Sequence, residues 1–157
     1  MNKTNAMRLL EKDHIPYRTQ EYTVDENDLS GEHVAAQLGQ PPEQVFKTLV
    51  TRGEKNGIMV FCIPVAEELD FKKIAALTND KKVEMIPVKE LLSLTGYIRG
   101  GCSPVGMKKK YPTWFDETAL LFDEIYVSAG VRGCQMIVNP EILAGCVNGR
   151  FADLTKL

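Results

Sequence analysis

Residues 45–63 constrain this chain more than any other stretch. A β-prone run at 45–51 (VFKTLVT) is followed by a turn bounded by glycines at 53–57 (GEKNG), and a second run at 58–63 (IMVFCI) brings the chain back. Two such runs about a short turn read as an antiparallel hairpin. Any fold for this sequence therefore contains a sheet with at least one antiparallel pair.

The remaining elements follow from local signals. Ala6, Leu9 and Leu10 recur at helical spacing, and Ile15-Pro16 closes that run, so a helix is expected over 4–13. Residues 17–23 read as a strand. Ser30 caps a helix over 31–38 that Gly39 stops, and 41–44 (PPEQ) suits the first turn of another short helix. Asp70 caps 71–77, a short strand is expected at 83–86, and Pro87 opens a helix over 88–94. Beyond a glycine-rich segment at 96–106, strands at 125–128 and 135–138 are joined through 129–133, and Asn139-Pro140 start a last helix that Gly145 ends. Helices and strands mix without regular βαβ alternation. The expected class is α+β: one domain over 1–157, a mixed and largely antiparallel sheet, and surrounding helices.

At 157 residues the chain suits a single core, and 44% hydrophobic with 25% charged residues is a globular composition. It contains no run of about 18 apolar residues and no apolar secretory segment, so the expectation is a soluble cytoplasmic protein with no membrane contact. Cys62, Cys102, Cys134 and Cys146 are far apart, and His14 and His33 are the only imidazoles. Neither a metal site nor a disulfide framework is expected from that spacing. Phosphate loops, dinucleotide fingerprints and nucleophile elbows are absent, which disfavours common cofactors. A net charge of −2 argues against coating DNA, so any RNA contact has to be local or assisted.

Several residues are candidates for chemistry. Lys47 lies inside the apolar strand, on a face with Leu49. Either its stem packs on the sheet while the ammonium reaches water, or it is a cation at a cleft wall, effective against a phosphate or an oxyanion. The segment 96–106 (GYIRGGCSPVG) is a tight loop in which Gly100 and Gly101 either let a substrate approach the main chain or serve a turn. Ser103 donates to a ligand or satisfies that turn. Arg99 and the run Lys108 to Lys110 beside Tyr111 are surface charges or phosphate contacts. Arg132, in the turn between Ser128 and Gly133, clamps an RNA phosphate or is part of a simple connection. Cys102 in the glycine loop offers a redox reading, in which a thiolate is stabilised by N–H groups and Arg99.

In this order, and without large gaps, the segments FKTL at 46–49, LDFKK at 69–73, KVEM at 82–85, TGY at 95–97, GGCSPVG at 100–106, KK at 108–109, VS at 127–128, RG at 132–133 and FAD at 151–153 resemble the YbaK/EbsC family of tRNA-editing proteins. The resemblance covers nearly the whole chain. It implies a fold like the editing domain of bacterial prolyl-tRNA synthetases, an aminoacylated tRNA 3′ end as substrate, that synthetase as partner, and no cofactor or metal. It places the family's essential lysine at Lys47, with Gly100 and Gly101 facing the acyl ester, and Tyr22, Thr48, Ser103, Gly106, Ser128 and Arg132 binding substrate. It implies removal of cysteine from Cys-tRNA(Pro), and of Cys-tRNA(Cys), by attack of the substrate's own thiol on its ester. Removal of alanine by an activated water, or a binding module without turnover, are the alternatives. One position departs: the family often carries an acidic residue where this chain has Gln135, which can hydrogen-bond but carries no charge.

Overall fold

In the computed structural model, which describes residues 2–156, the order is α1 (Asn5–Lys12), β1 (Arg18–Glu21), α2 (Gly31–Leu38), β2 (Phe46–Gly53), β3 (Gly57–Pro64), α3 (Phe71–Leu77), β4 (Val83–Met85), α4 (Leu91–Thr95), β5 (Thr113–Asp116), β6 (Ile125–Ser128), β7 (Cys134–Val138), α5 (Pro140–Cys146) and β8 (Arg150–Ala152). The α+β class expected from sequence is the one found. No helix of the described residues is long and apolar enough to cross a membrane.

The sheet is divided. β4-β2-β3-β5-β8 form a five-stranded sheet, and β1-β7-β6 form a three-stranded antiparallel one. A parallel bridge between Val45 and Tyr126 joins them. The larger sheet is antiparallel only on one side, since β3 with β5 and β5 with β8 run parallel. β5 and β8 were not expected from sequence. Each is four residues or fewer and pairs with a strand far away in the chain, so neither has a hairpin turn to mark it.

The central hairpin forms because its turn is held by one carboxylate. Asp80 accepts hydrogen bonds from the main-chain N–H groups of Lys55, Asn56, Lys81 and Lys82 and from Asn56 Nδ2. Gly53 has to be glycine for this reason, because a Cβ there would lie 2.1 Å from Asp80 Oδ2. Desolvation raises the Asp80 pKa, but the main-chain N–H groups outweigh it and bring it down to about 2. A carboxylate with a depressed folded pKa stabilises above its unfolded value, about 3.9, and that contribution is lost as pH falls through the folded one. Asp80→Ala is expected to lower the urea midpoint at pH 6, with the gap to wild type closing as pH falls from about 4 to 2. A gap that persisted at the acid end would show that the carboxylate charge is not what holds the turn.

Strand alternation distributes the core. Met59, Phe61 and Ile63 of β3 pack with Ile74 of α3, Leu69 and Leu154. Cys62 faces the other way, into the layer between the sheets, with Phe115, Val127, Met136 and Leu10 of α1. On the outer face of the smaller sheet, Tyr126 and Ile137 meet Ala35 and Leu38 of α2. That leaves Ser128 and Gln135, cross-strand partners one step further along, on the same outer face.

Several boundaries differ from expectation; β1, for one, is Arg18–Glu21 rather than 17–23. Residues 41–44 make one turn, closed by Gln44 N–H donating to Pro41 O, because Gln44 O must accept from Tyr126 N–H and Gln44 Nε2 donates to Glu124 O. Residues 88–90 are a 3₁₀ turn leading into α4. α5 runs through Gly145 to Cys146, and Asn148, at φ 52°, takes the left-handed position instead.

Candidate active site

The open edge of β2 makes a cleft. At one end β2 is bridged to β6 through Val45, and at the other β4 pairs it only at Thr51, Arg52 and Gly53. From Phe46 to Leu49 it therefore has a strand on one side alone, Val50 O already accepting from Ile86 N–H. Val65 N–H donates to Val45 O, which fixes the antiparallel alternation, so Lys47 and Leu49 turn their main chain to β3 while Thr48 turns its own to the open edge. A cleft of about 380 Å³ occupies this gap.

Its walls come from five segments: Leu29 to Val34 at the start of α2, β2 itself, Met85 to Leu91, the glycine loop at Arg99, Gly100 and Cys102, and Ser128 with Gln135. The mouth is polar, with exposed Ser30, Glu32 and Arg99. Phe46, Val50, Cys102, Ser128 and Gln135 are buried and form its inner surface.

Lys47 is half-buried and makes no hydrogen bond or ion pair within 4 Å among the described residues. Desolvation pulls its pKa below the ordinary lysine value, against Glu32, Glu68 and Glu67, which raise it. A partly dehydrated cation without a bound partner is suited to an anion that arrives. Thr48 Oγ1 lies 3.6 Å from Cys62 Sγ, on the opposite face of the strand.

The other expected residues divide. Gly100 is on the cleft, at φ 85°, and no main-chain bond of the described residues uses its N–H. Gly101 is not. Its N–H donates to Ile98 O at 2.9 Å, and its Cα is pressed against the main chain of Val131 and Arg132. Ser103 is fully buried and its Oγ accepts from Val105 N–H, and Gly106 lies under Tyr97 Oη and the start of α1. These three shape the loop from behind. Tyr22 and Arg132 line a smaller recess on the other side of Gly100, where Arg132 Nε donates to Arg99 O at 2.8 Å and ties the glycine loop to the β6–β7 turn. Lys108, Lys109 and Lys110 are solvent-exposed.

Cys102 carries a thiol that burial pushes up to about 12, and Cys62 behind it is likewise raised to about 12. Such thiols stay protonated near neutrality and are poor nucleophiles. Cys102→Ser is accordingly expected to leave any deacylase rate near wild type, and its abolition would restore the redox reading. The α2 and Met85–Leu91 walls were not found from sequence. No sequence signal marked them; that Met85 and Val88 are apolar yet exposed emerges only from the fold.

Comparison with known proteins identifies the family and the fold. The aminoacyl-tRNA editing domain family matches residues 26–145. The EbsC protein of Enterococcus faecalis, named as a candidate Cys-tRNA(Pro)/Cys-tRNA(Cys) deacylase, is 50% identical over 98% of this chain and 93% of its own. A proline–tRNA ligase of Thermosipho africanus is 32% identical over 63% of this chain, which spans 18% of that enzyme. Among solved structures, a candidate trans-editing enzyme for prolyl-tRNA synthetase superposes with a TM-score of 0.83 at 25% identity, covering 100% of both chains. A hypothetical protein, APE2540, gives 0.88 at 21% identity over 98% of this chain and 100% of its own. The chain belongs to the YbaK/EbsC family of aminoacyl-tRNA editing domains.

Proposed function

We propose that the protein is a cytoplasmic deacylase that removes cysteine from Cys-tRNA(Pro), and from Cys-tRNA(Cys), using the substrate's own thiol. The observation that carries this reading is the make-up of the cleft. It holds an unpartnered cation, Lys47, and a glycine main chain at Gly100, but no histidine lines it and its one thiol is held neutral by burial. Neither serine hydroxyl is paired with a histidine ring: Ser30 Oγ accepts from the main-chain N–H of His33, and Ser128 Oγ from that of Gly130. A site without an activated nucleophile suits a substrate that brings its own.

In this mechanism the cysteinyl sulfur, as thiolate, attacks the ester carbonyl carbon. The carbon–oxygen bond to the tRNA 3′-oxygen then breaks, the product is a cyclic thiolactone, and the proton lost from sulfur ends on the 3′-hydroxyl. A free thiol with a pKa of about 8.5 supplies a few per cent thiolate at neutral pH. The protein's part is orientation and charge: Gly100 N–H stabilises the oxyanion, and the Lys47 ammonium holds the terminal phosphate or the leaving oxygen. Proline, lacking a thiol, sits in the cleft without reacting. Thr48, with its main chain on the open edge, and Tyr22 and Arg132 beyond Gly100 contact the bound acceptor end. At a net charge of −2, affinity for free tRNA is weak, and prolyl-tRNA synthetase holding the same tRNA supplies the remainder.

The test is single-turnover release of labelled amino acid from Cys-tRNA(Pro), Ala-tRNA(Pro) and Pro-tRNA(Pro). Loss of cysteine alone is the expected result. Loss of alanine at a comparable rate would replace the thiol mechanism with an activated water, and binding without turnover would leave a module that only recognises tRNA.

A further inference from the structure

We infer that Gln135 recognises the α-ammonium group of the aminoacyl moiety, so that the cleft selects substrates with a free amine through a neutral acceptor. This rests on the deacylase reading above and adds to it the group that orients the reacting end.

Gln135 sits on β7 between Gln20 of β1 and Ser128 of β6, on the inner surface of the cleft, and is 5% exposed. Its Oε1 is buried and has no hydrogen-bond partner among the described residues. Buried polar atoms of native proteins are almost always paired, so an orphan acceptor on a binding surface points to a donor carried by the ligand. The neighbours do not serve it. Gln20 Nε2 donates to Leu38 O, and Ser128 Oγ, which accepts from Gly130 N–H, makes no hydrogen bond to Oε1.

A cysteinyl ester offers three kinds of donor: the ammonium, the thiol and the ribose hydroxyl. The thiol is a weak donor, whereas an ammonium has three N–H groups and makes charge-assisted bonds. The ribose belongs to the nucleotide, which has to enter past the exposed Ser30, Glu32 and Arg99 at the mouth. Only the small aminoacyl end reaches the inner surface, and its ammonium is the donor that matches Oε1. Glu32 is the carboxylate of the cleft, but it is exposed to water and sits near Lys47, which weakens its hold on a second cation.

The assignment is tested with two substrates, Cys-tRNA(Pro) and its des-amino analogue 3-mercaptopropionyl-tRNA(Pro), which keeps the thiol and lacks the amine. Gln135→Met is expected to slow single-turnover release from Cys-tRNA(Pro) by about 10- to 100-fold, the range for a hydrogen bond to a charged group, and to leave release from the analogue at the wild-type rate. Gln135→Glu, which keeps an acceptor, is expected to restore cleavage of Cys-tRNA(Pro). The urea midpoint of Gln135→Met should not fall, because an unpaired acceptor is replaced by an apolar chain of similar length. Equal losses on both substrates would reduce Gln135 to a structural residue, and no loss on either would remove it from recognition; both overturn the assignment while leaving the deacylase reading intact. A wild-type protein inactive on both substrates would instead overturn the deacylase reading, and the assignment with it.

Discussion

Lys47→Met is expected to reduce release of cysteine from Cys-tRNA(Pro) by about 10²- to 10³-fold, the range for losing one preorganised stabiliser of transition-state charge, while leaving the protein at least as stable as wild type. Both halves follow from one fact: the ammonium is half-buried without a partner, and desolvation holds its pKa below the ordinary lysine value. A charge in that position costs stability, because the unfolded chain binds its proton more tightly than the folded one. Between the lowered folded pKa and the unfolded value, about 10.4, stability attributable to this group rises with pH. The activity that depends on the ammonium runs the other way: it is complete below the lowered pKa and disappears as pH rises through it. Lys47→Arg keeps the charge but replaces a compact ammonium by a planar fork, and should recover only part of the rate. Single-turnover rates and urea midpoints for the three proteins decide the matter. A Met variant that turned over normally, or that lost more than about 2 kcal/mol in the manner of a core residue, would return Lys47 to the role of a packed lysine.

Gly101→Ala should produce the second large effect, for a reason unrelated to donating N–H groups. An ideal Cβ at Gly101 would lie 3.0 Å from both Arg132 N and Val131 C, and these are main-chain atoms that cannot swing aside. The two glycine-containing turns have to separate. Overpacking of this kind costs about 1–3 kcal/mol, and it moves Gly100, the preceding residue, off the cleft wall. Gly145→Ala is the control, since nothing lies within 4 Å of its Cβ and the residue is helical; it should gain about 1 kcal/mol. Urea denaturation with a deacylation assay separates the cases: Gly101→Ala loses stability and rate together. Were Gly101 an oxyanion donor, the alanine variant would keep its N–H, and a stable but inactive protein would be the unexpected outcome.

The parts of the fold legible in sequence are those whose cause is local. α2 and α3 begin and end where Ser30, Gly39 and Asp70 place them, because capping is decided within a turn of chain. The β2–β3 hairpin is equally local. β5 escaped notice because its four residues follow a charged run and meet β3 in parallel, Val60 opposite Thr113, across some fifty residues. The division into two sheets was also hidden, since it depends on β6 leaving β2 after a single bridge. At the cleft, Lys47 stood out as a charge inside an apolar strand. Ser103 and Gly106 did not separate from Gly100, because glycines that face a ligand and glycines that let loops pack look alike until the packing is known. Gln135 read as a missing charge. Its unpartnered Oε1 emerges only once β1, β6 and β7 are side by side.

The pairing of β1 with β7, Arg18 opposite Ile137, also sets a timetable for a chain made from its N-terminus. At about 5–20 residues per second, β1 waits on the order of ten seconds for its partner to be synthesised. Ser128 and Gln135, the far wall of the cleft, arrive in the same late segment. An unfinished chain thus has the hairpin, Lys47 and the earlier walls, but the cleft stays open on the side that Ser128 and Gln135 will close. Waiting strands are hazards because their edges recruit other chains. β1 reads Arg18, Thr19, Gln20 and Glu21, polar at every position, which makes the strand that waits longest the one least inclined to pair elsewhere.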